Sequence, residues 1–227
     1  MPLRLCRSPN DQHDIESRVQ DVPRPETWVE HIAHWISQMG SPPIMSLSAF
    51  FVTLHHLSVP RAWLWSGPYI VFAVIGPLAF LCWQIGHGHV TDLDIYFRKQ
   101  RKWSILVTAI GTAIVWGAMR LGEAPEILLV MVGSHFLQWL GIYMVTLCWK
   151  ISVHATVASG VAFFLIWGFG IAATPLAMII PLVAWSRVKL RRHSPAQVFA
   201  GVLLGAAAFS AALLLSPIAR TPGSLIR

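Results

Sequence analysis

The sequence predicts an all-α polytopic membrane protein, a bundle of six or seven transmembrane helices preceded by an amphipathic interfacial helix. Three observations carry this. Of 227 residues, 55% are hydrophobic and only 12% charged, against about 25% charged in globular domains. Charge is absent from five long stretches, 66–84, 103–119, 127–149, 155–186 and 198–219. Roughly 18 apolar residues suffice to span a bilayer. Between these stretches lie short polar segments in which basic residues collect.

Residues 1–25 are polar and proline-punctuated, a loosely ordered tail whose start, MPLRLCRSPN, has no apolar signal-peptide core. Thr27 and Glu30 form a capping box. Trp28, Val29, Ile32, Trp35, Ile36 and Met39 then fall on one helical face, and Gly40-Ser41-Pro42-Pro43 ends the helix. This helix lies in the membrane interface or packs on the bundle, and with the tail it makes an N-terminal unit, 1–43. The transmembrane unit covers 44–218, and 219–227 is a C-terminal tail. Its first apolar segment, 44–59, is short and interrupted by His55-His56, so it either spans or re-enters. Spans follow at about 66–86, 103–119 and 127–149, then two divided near Thr174-Pro175, then one at about 196–217. Trp63, Trp65, Trp83, Trp103 and Trp149 stand near span ends as interface anchors.

Cys6, Cys82 and Cys148 make no disulfide framework. The formal net charge of +7 sits mainly in 98–102 and 187–192. No soluble platform presents these bases, which excludes nucleic acid as the expected partner. His87-Gly88-His89 lacks further ligands, so no metal site is expected. His135 reads as a buried, hydrogen-bonded histidine.

Two spans separate the polar segment 91–102 from that at 150–154, and two more separate this from 186–197. All three segments therefore emerge on one face. It collects Asp92, Asp94, Arg98, Arg101, Lys150, His154, Arg187 and His193. The excess of Lys and Arg makes that face cytoplasmic by the positive-inside rule. Several cations with two histidines suit an anionic, phosphorylated head group. Guanidinium groups can hold phosphoryl oxygens while one histidine attacks phosphorus and another protonates the leaving oxygen. Ser194-Pro195-Ala196-Gln197 is a helix start, which sets His193 just before an anion-favouring N-terminus.

Ser186-Arg187, five residues, His193, three residues, Gln197 resembles the third signature of the type 2 phosphatidic-acid phosphatase superfamily, Ser-Arg-x5-His-x3-Asp. Ser152-Val153-His154 is similar to its Pro-Ser-Gly-His block, with Ile151 in place of proline and Val153 of glycine. Arg98 to Lys102 stands where the family has Lys-x6-Arg-Pro, a motif this chain lacks. The likeness covers about 66–217. It implies a metal-independent, cofactor-free hydrolase of lipid phosphates or prenyl (di)phosphates. His193 would be the nucleophile and His154 the acid. Arg187, Arg98 or Arg101, and Ser152 would bind the phosphoryl group, with Lys150 replacing the missing first-block lysine. Gln197 replaces the orienting aspartate, a role open also to Asp92 or Asp94. The alternatives are a catalytically impaired protein of this fold that binds lipid phosphate, and a magnesium-dependent prenyl transferase using Asp92-Leu93-Asp94.

Overall fold

The computed structural model describes residues 25–57, 59–90 and 98–217, and all regular structure among them is helical. Asp92, Asp94 and both predicted tails lie outside the described residues. The elements are α1 (Trp28–Met39), α2 (Pro42–His56), the composite α3 (Pro60–Gly86), α4 (Arg98–Leu121), α5 (Glu126–Cys148), α6 (Val153–Phe169), α7 (Ile179–Lys189) and α8 (Pro195–Leu214).

Five helical stretches are long and apolar enough to cross a membrane: Pro60–Gly86, Arg101–Leu121, Glu126–Cys148, Val153–Lys189 and Pro195–Leu214. Large apolar side chains cover the outside, among them Leu121, Ile171, Phe199 and Leu203. Water would not tolerate so extended an apolar exterior. The helix ends follow local chemistry. Thr27 and Ser194 each close a capping box, with Glu30 and Gln197, and Pro42 and Pro195 occupy first turns where no backbone donor is lost.

The long stretch from Val153 to Lys189 is not one straight rod. α6 ends at Gly170, which takes the left-handed conformation (φ 67°), and a 3-10 segment, Gly170–Met178, leads into α7. The break thus starts five residues before Pro175, which the 3-10 segment accommodates inside its length. α7 packs back along α6.

α1 forms over the predicted residues and turns its small residues, not its apolar face, toward the bundle. Ala33 and Ser37 are buried against α7, while Trp28, Ile32, Trp35 and Met39 face outward. The small residues permit close approach, and a Cβ on Gly40 would stand 2.6 Å from Val183 of α7. α2, with 15 residues, is about 22 Å long at 1.5 Å per residue, less than the roughly 30 Å hydrocarbon core. His56 bonds the Val52 carbonyl through Nδ1 (2.8 Å) and packs edge-on against Phe169.

α5 is the central helix, with Ile127 through His135 buried without interruption. α6 and α8 cross in close backbone contact. A Cβ on Gly205 would stand 2.1 Å from the Thr156 carbonyl oxygen, and one on Gly201 would stand 2.7 Å from that of Ser152. Ser159 adds a bond from its hydroxyl to the Val202 carbonyl (2.8 Å). Small residues four apart let two helix backbones touch in lipid. Here that contact brings the N-termini of α6 and α8 together, and the Ser152 amide donates to the Gln197 carbonyl at 3.3 Å.

Candidate functional site

Three helix starts meet at one end of the bundle. Arg101 comes from the first turn of α4, His154 from that of α6, and His193 from the residue before the Ser194 cap of α8. All three line one cavity of about 290 Å³ that runs inward between α2, α3, α4 and α5.

The approach to His193 is bent deliberately by the chain. Arg191 sits in the left-handed region (φ 53°), which is costly for any residue with a Cβ. The turn lets the amides of Arg192 and His193 both donate to the Arg187 carbonyl, at 3.1 and 3.3 Å. His193 is buried, and its Nδ1 lies 3.1 Å from Gln197 Oε1. The same Oε1 accepts from the Ser194 amide at 3.3 Å, so it is the oxygen of the amide that faces His193. An oxygen cannot donate, and Nδ1 therefore carries the proton. Nε2 is left with its lone pair, the state a nucleophile needs. Gln197 is both the capping residue and the group that fixes the His193 tautomer.

Burial holds the His193 pKa far below the usual imidazole value. The positive charges of Arg101, Arg187 and Lys150 push it the same way, and the Gln197 bond opposes them only in part. The consequence for stability has a definite sign. The unfolded imidazole takes up a proton near pH 6.5, and the folded one does not. Stability contributed by neutral His193 is therefore complete above that pH and is lost as the pH falls below it. Melting temperatures at pH 7.5 and 5 should show the wild type losing more stability on acidification than His193→Gln. Equal losses would count against a buried neutral imidazole.

The remaining expected site residues occupy different positions. Arg187 is fully buried behind His193, its Nη1 donating to Ser37 of α1 at 2.6 Å. It does not line the cavity. Arg101 is 4% exposed and gives Nη1 to the Ile151 carbonyl at 3.2 Å. Ser152 is the N-cap of α6, accepting from the Ala155 amide at 3.4 Å, and it too stands behind the cavity wall. Lys150 is half-buried and acts on His193 through its charge. Arg98 lies in the first turn of α4.

Two contributions escaped the sequence reading. Ser37, which holds Arg187, lies 150 residues away in the chain, and nothing local marks it. The inner cavity carries a polar lining from Ser104, Thr108 and Thr112 of α4 and from Tyr69, whose hydroxyl bonds the His135 that the sequence marks as buried and hydrogen-bonded. The α4 stripe was visible as hydroxyl residues at near-helical spacing in an apolar run. No protein-family model, characterised protein or solved structure matches the chain.

Proposed function

We propose that the chain is an integral-membrane phosphatase that hydrolyses a lipid phosphate or prenyl (di)phosphate through a phosphohistidine. The observation that carries the reading is His193 held with Nε2 unprotonated, in the same cavity as His154 and Arg101. Nε2 attacks phosphorus, the P–N bond forms, and the bond to the lipid oxygen breaks as His154 gives that oxygen a proton. Water then attacks the phosphohistidine, yields a proton to His154 and releases phosphate. The guanidinium of Arg101, with the charges of Arg187 and Lys150 behind, compensates the phosphoryl oxygens. The same anion would offset the positive charge that develops on the imidazole as the P–N bond forms, whereas burial and the neighbouring cations keep the free His193 neutral and nucleophilic.

The deciding experiment is phosphate release by the purified chain in detergent from a panel of alkyl, diacylglycerol and prenyl phosphates. Release should persist with chelator and fall with vanadate, which imitates pentacoordinate phosphorus. Loss with chelator and recovery with magnesium would favour the transferase reading. Binding without turnover would favour the impaired, lipid-binding one.

The reading requires the starts of α4, α6 and α8 on one face of a six- or seven-span bundle, with α1 in the interface. Single cysteines at Lys102, Glu123 and Lys189, in a chain otherwise freed of cysteine, should report this. Positions 102 and 189 should react from the same side, cytoplasmic by positive-inside bias, and position 123 from the other. Reaction of 102 and 189 from opposite sides would end the shared-site reading.

A further inference from the structure

The cavity does not finish as an apolar slot. Beyond Arg101, the α4 residues Ser104, Thr108 and Thr112 continue along its wall. The stripe from Arg101 to Thr112 is about 16 Å long at 1.5 Å per residue. Thr108 and Thr112 donate to carbonyls of their own helix, Ser104 (2.8 Å) and Thr108 (2.9 Å), so their oxygens retain acceptor capacity toward the cavity.

Opposite lies a pair of buried groups. Tyr69 is 1% and His135 3% exposed, and the Tyr69 hydroxyl is 3.0 Å from His135 Nδ1. Phe50 stacks on Tyr69 at 4.0 Å and holds the ring in place, and Ser46 lies beside it on the same wall. The pair has hydrogen-bonding capacity left over in either tautomer. If the phenol donates to Nδ1, Nε2–H remains a donor. If Nδ1–H donates, the phenol is left to Ser46 and Nε2 remains as an acceptor. Polar groups in an apolar bundle are costly unless they are bonded, and a plain hydrocarbon tail would leave these without a match.

We infer that the inner cavity is a second polar subsite, built by Tyr69 and His135 with the Thr108–Thr112 oxygens, for a hydroxyl or comparable hydrogen-bonding group carried down the chain of the amphiphile. The occupant is thus an amphiphile polar at two places: an anionic head at Arg101 and His193, and a neutral hydrogen-bonding group near the middle of the bundle. The placement of the head rests on the phosphatase reading; the subsite does not.

The test measures binding, by calorimetry in one detergent, to two pairs of probes. Dodecylphosphonate is compared with its ω-hydroxy form, and dodecanol with dodecane-1,12-diol. The readout is the affinity ratio of hydroxylated to plain probe in the wild type, divided by the same ratio in a variant, which cancels micelle partitioning. Tyr69→Phe keeps the stack on Phe50, and His135→Leu removes the imidazole. Each should lower the ratio about three- to tenfold, the worth of one neutral hydrogen bond. Arg101→Gln should weaken both phosphonates alike and leave the alcohol ratio unchanged. A ratio unmoved in both probe pairs by Tyr69→Phe and by His135→Leu, in protein that melts as the wild type does, overturns the subsite. A ratio that falls for the alcohols while Arg101→Gln leaves phosphonate binding intact sustains the subsite and refutes the head-group placement.

Discussion

Replacing His193 by alanine should abolish turnover of every phosphate ester, while the protein still folds. The expected loss is at least about three orders of magnitude, because the residue forms the covalent bond itself rather than assisting it. His154→Ala should behave differently. Its proposed task is to protonate the departing oxygen, and general acid catalysis of this kind contributes roughly 10²–10⁴-fold. An alkyl alcohol needs that proton and p-nitrophenolate scarcely does. The variant should therefore lose most of its activity on alkyl phosphates and much less on p-nitrophenyl phosphate, where an acid-labile phosphoenzyme can collect. The contrast separates chemistry from damage, since general misfolding would depress both substrates together. Near-normal turnover by folded His193→Ala would rule out the mechanism.

The same two histidines show how far the sequence could be read. The helix starts were legible because capping is local. Thr27 with Glu30, and Ser194 with Gln197, announce themselves within four residues, and both boxes form. Gln197 was legible as a cap, and its second bond, to His193 Nδ1, follows from the capping box, which folds its side chain back to the Ser194 amide and so beside His193. What could not be read depends on partners distant in the chain. Arg187 offered itself as a phosphate ligand because it carries a charge at the right spacing, yet whether it meets the cavity or lies behind it depends on α1 and Ser37. Tyr69 and His135 are 66 residues apart on different helices, and periodicity says which face each occupies without saying what that face meets. The bend before α7 is a further case. Proline is the louder breaker in a sequence, but a 3-10 segment tolerates Pro175, and the conformation that ends α6 is one only Gly170 adopts without cost. For α1, the apolar face was found from its spacing. The sequence left open which solvent it meets, and the small face of Ala33 and Ser37 packs on α7 while the aromatic face stays outside.

Gly205→Ala should be among the most damaging single methyl groups in the protein. Its Cβ would stand 2.1 Å from the Thr156 carbonyl oxygen, 2.9 Å from the Gly160 amide nitrogen and 3.0 Å from Ser159 Cβ. Two of those three atoms are backbone, so no flexible side chain can swing away, and α6 and α8 must separate. Overpacking of this kind costs about 1–3 kcal/mol, sometimes more. Gly117→Ala on α4 is the control, because nothing lies within 4 Å of its Cβ. Replacing a helical glycine by alanine in open space gains up to about 1 kcal/mol. The two substitutions should thus move the melting temperature in detergent in opposite directions. The consequences for the site follow from the same geometry. The crossing at Gly201 and Gly205 is what brings Ser152 to Gln197, and with it His154 to His193. At temperatures where Gly205→Ala remains folded it should lose turnover while Gly117→Ala retains it. Equal stability of the two variants would show that α6 and α8 do not touch through their backbones, and the placement of both histidines would fall with that contact.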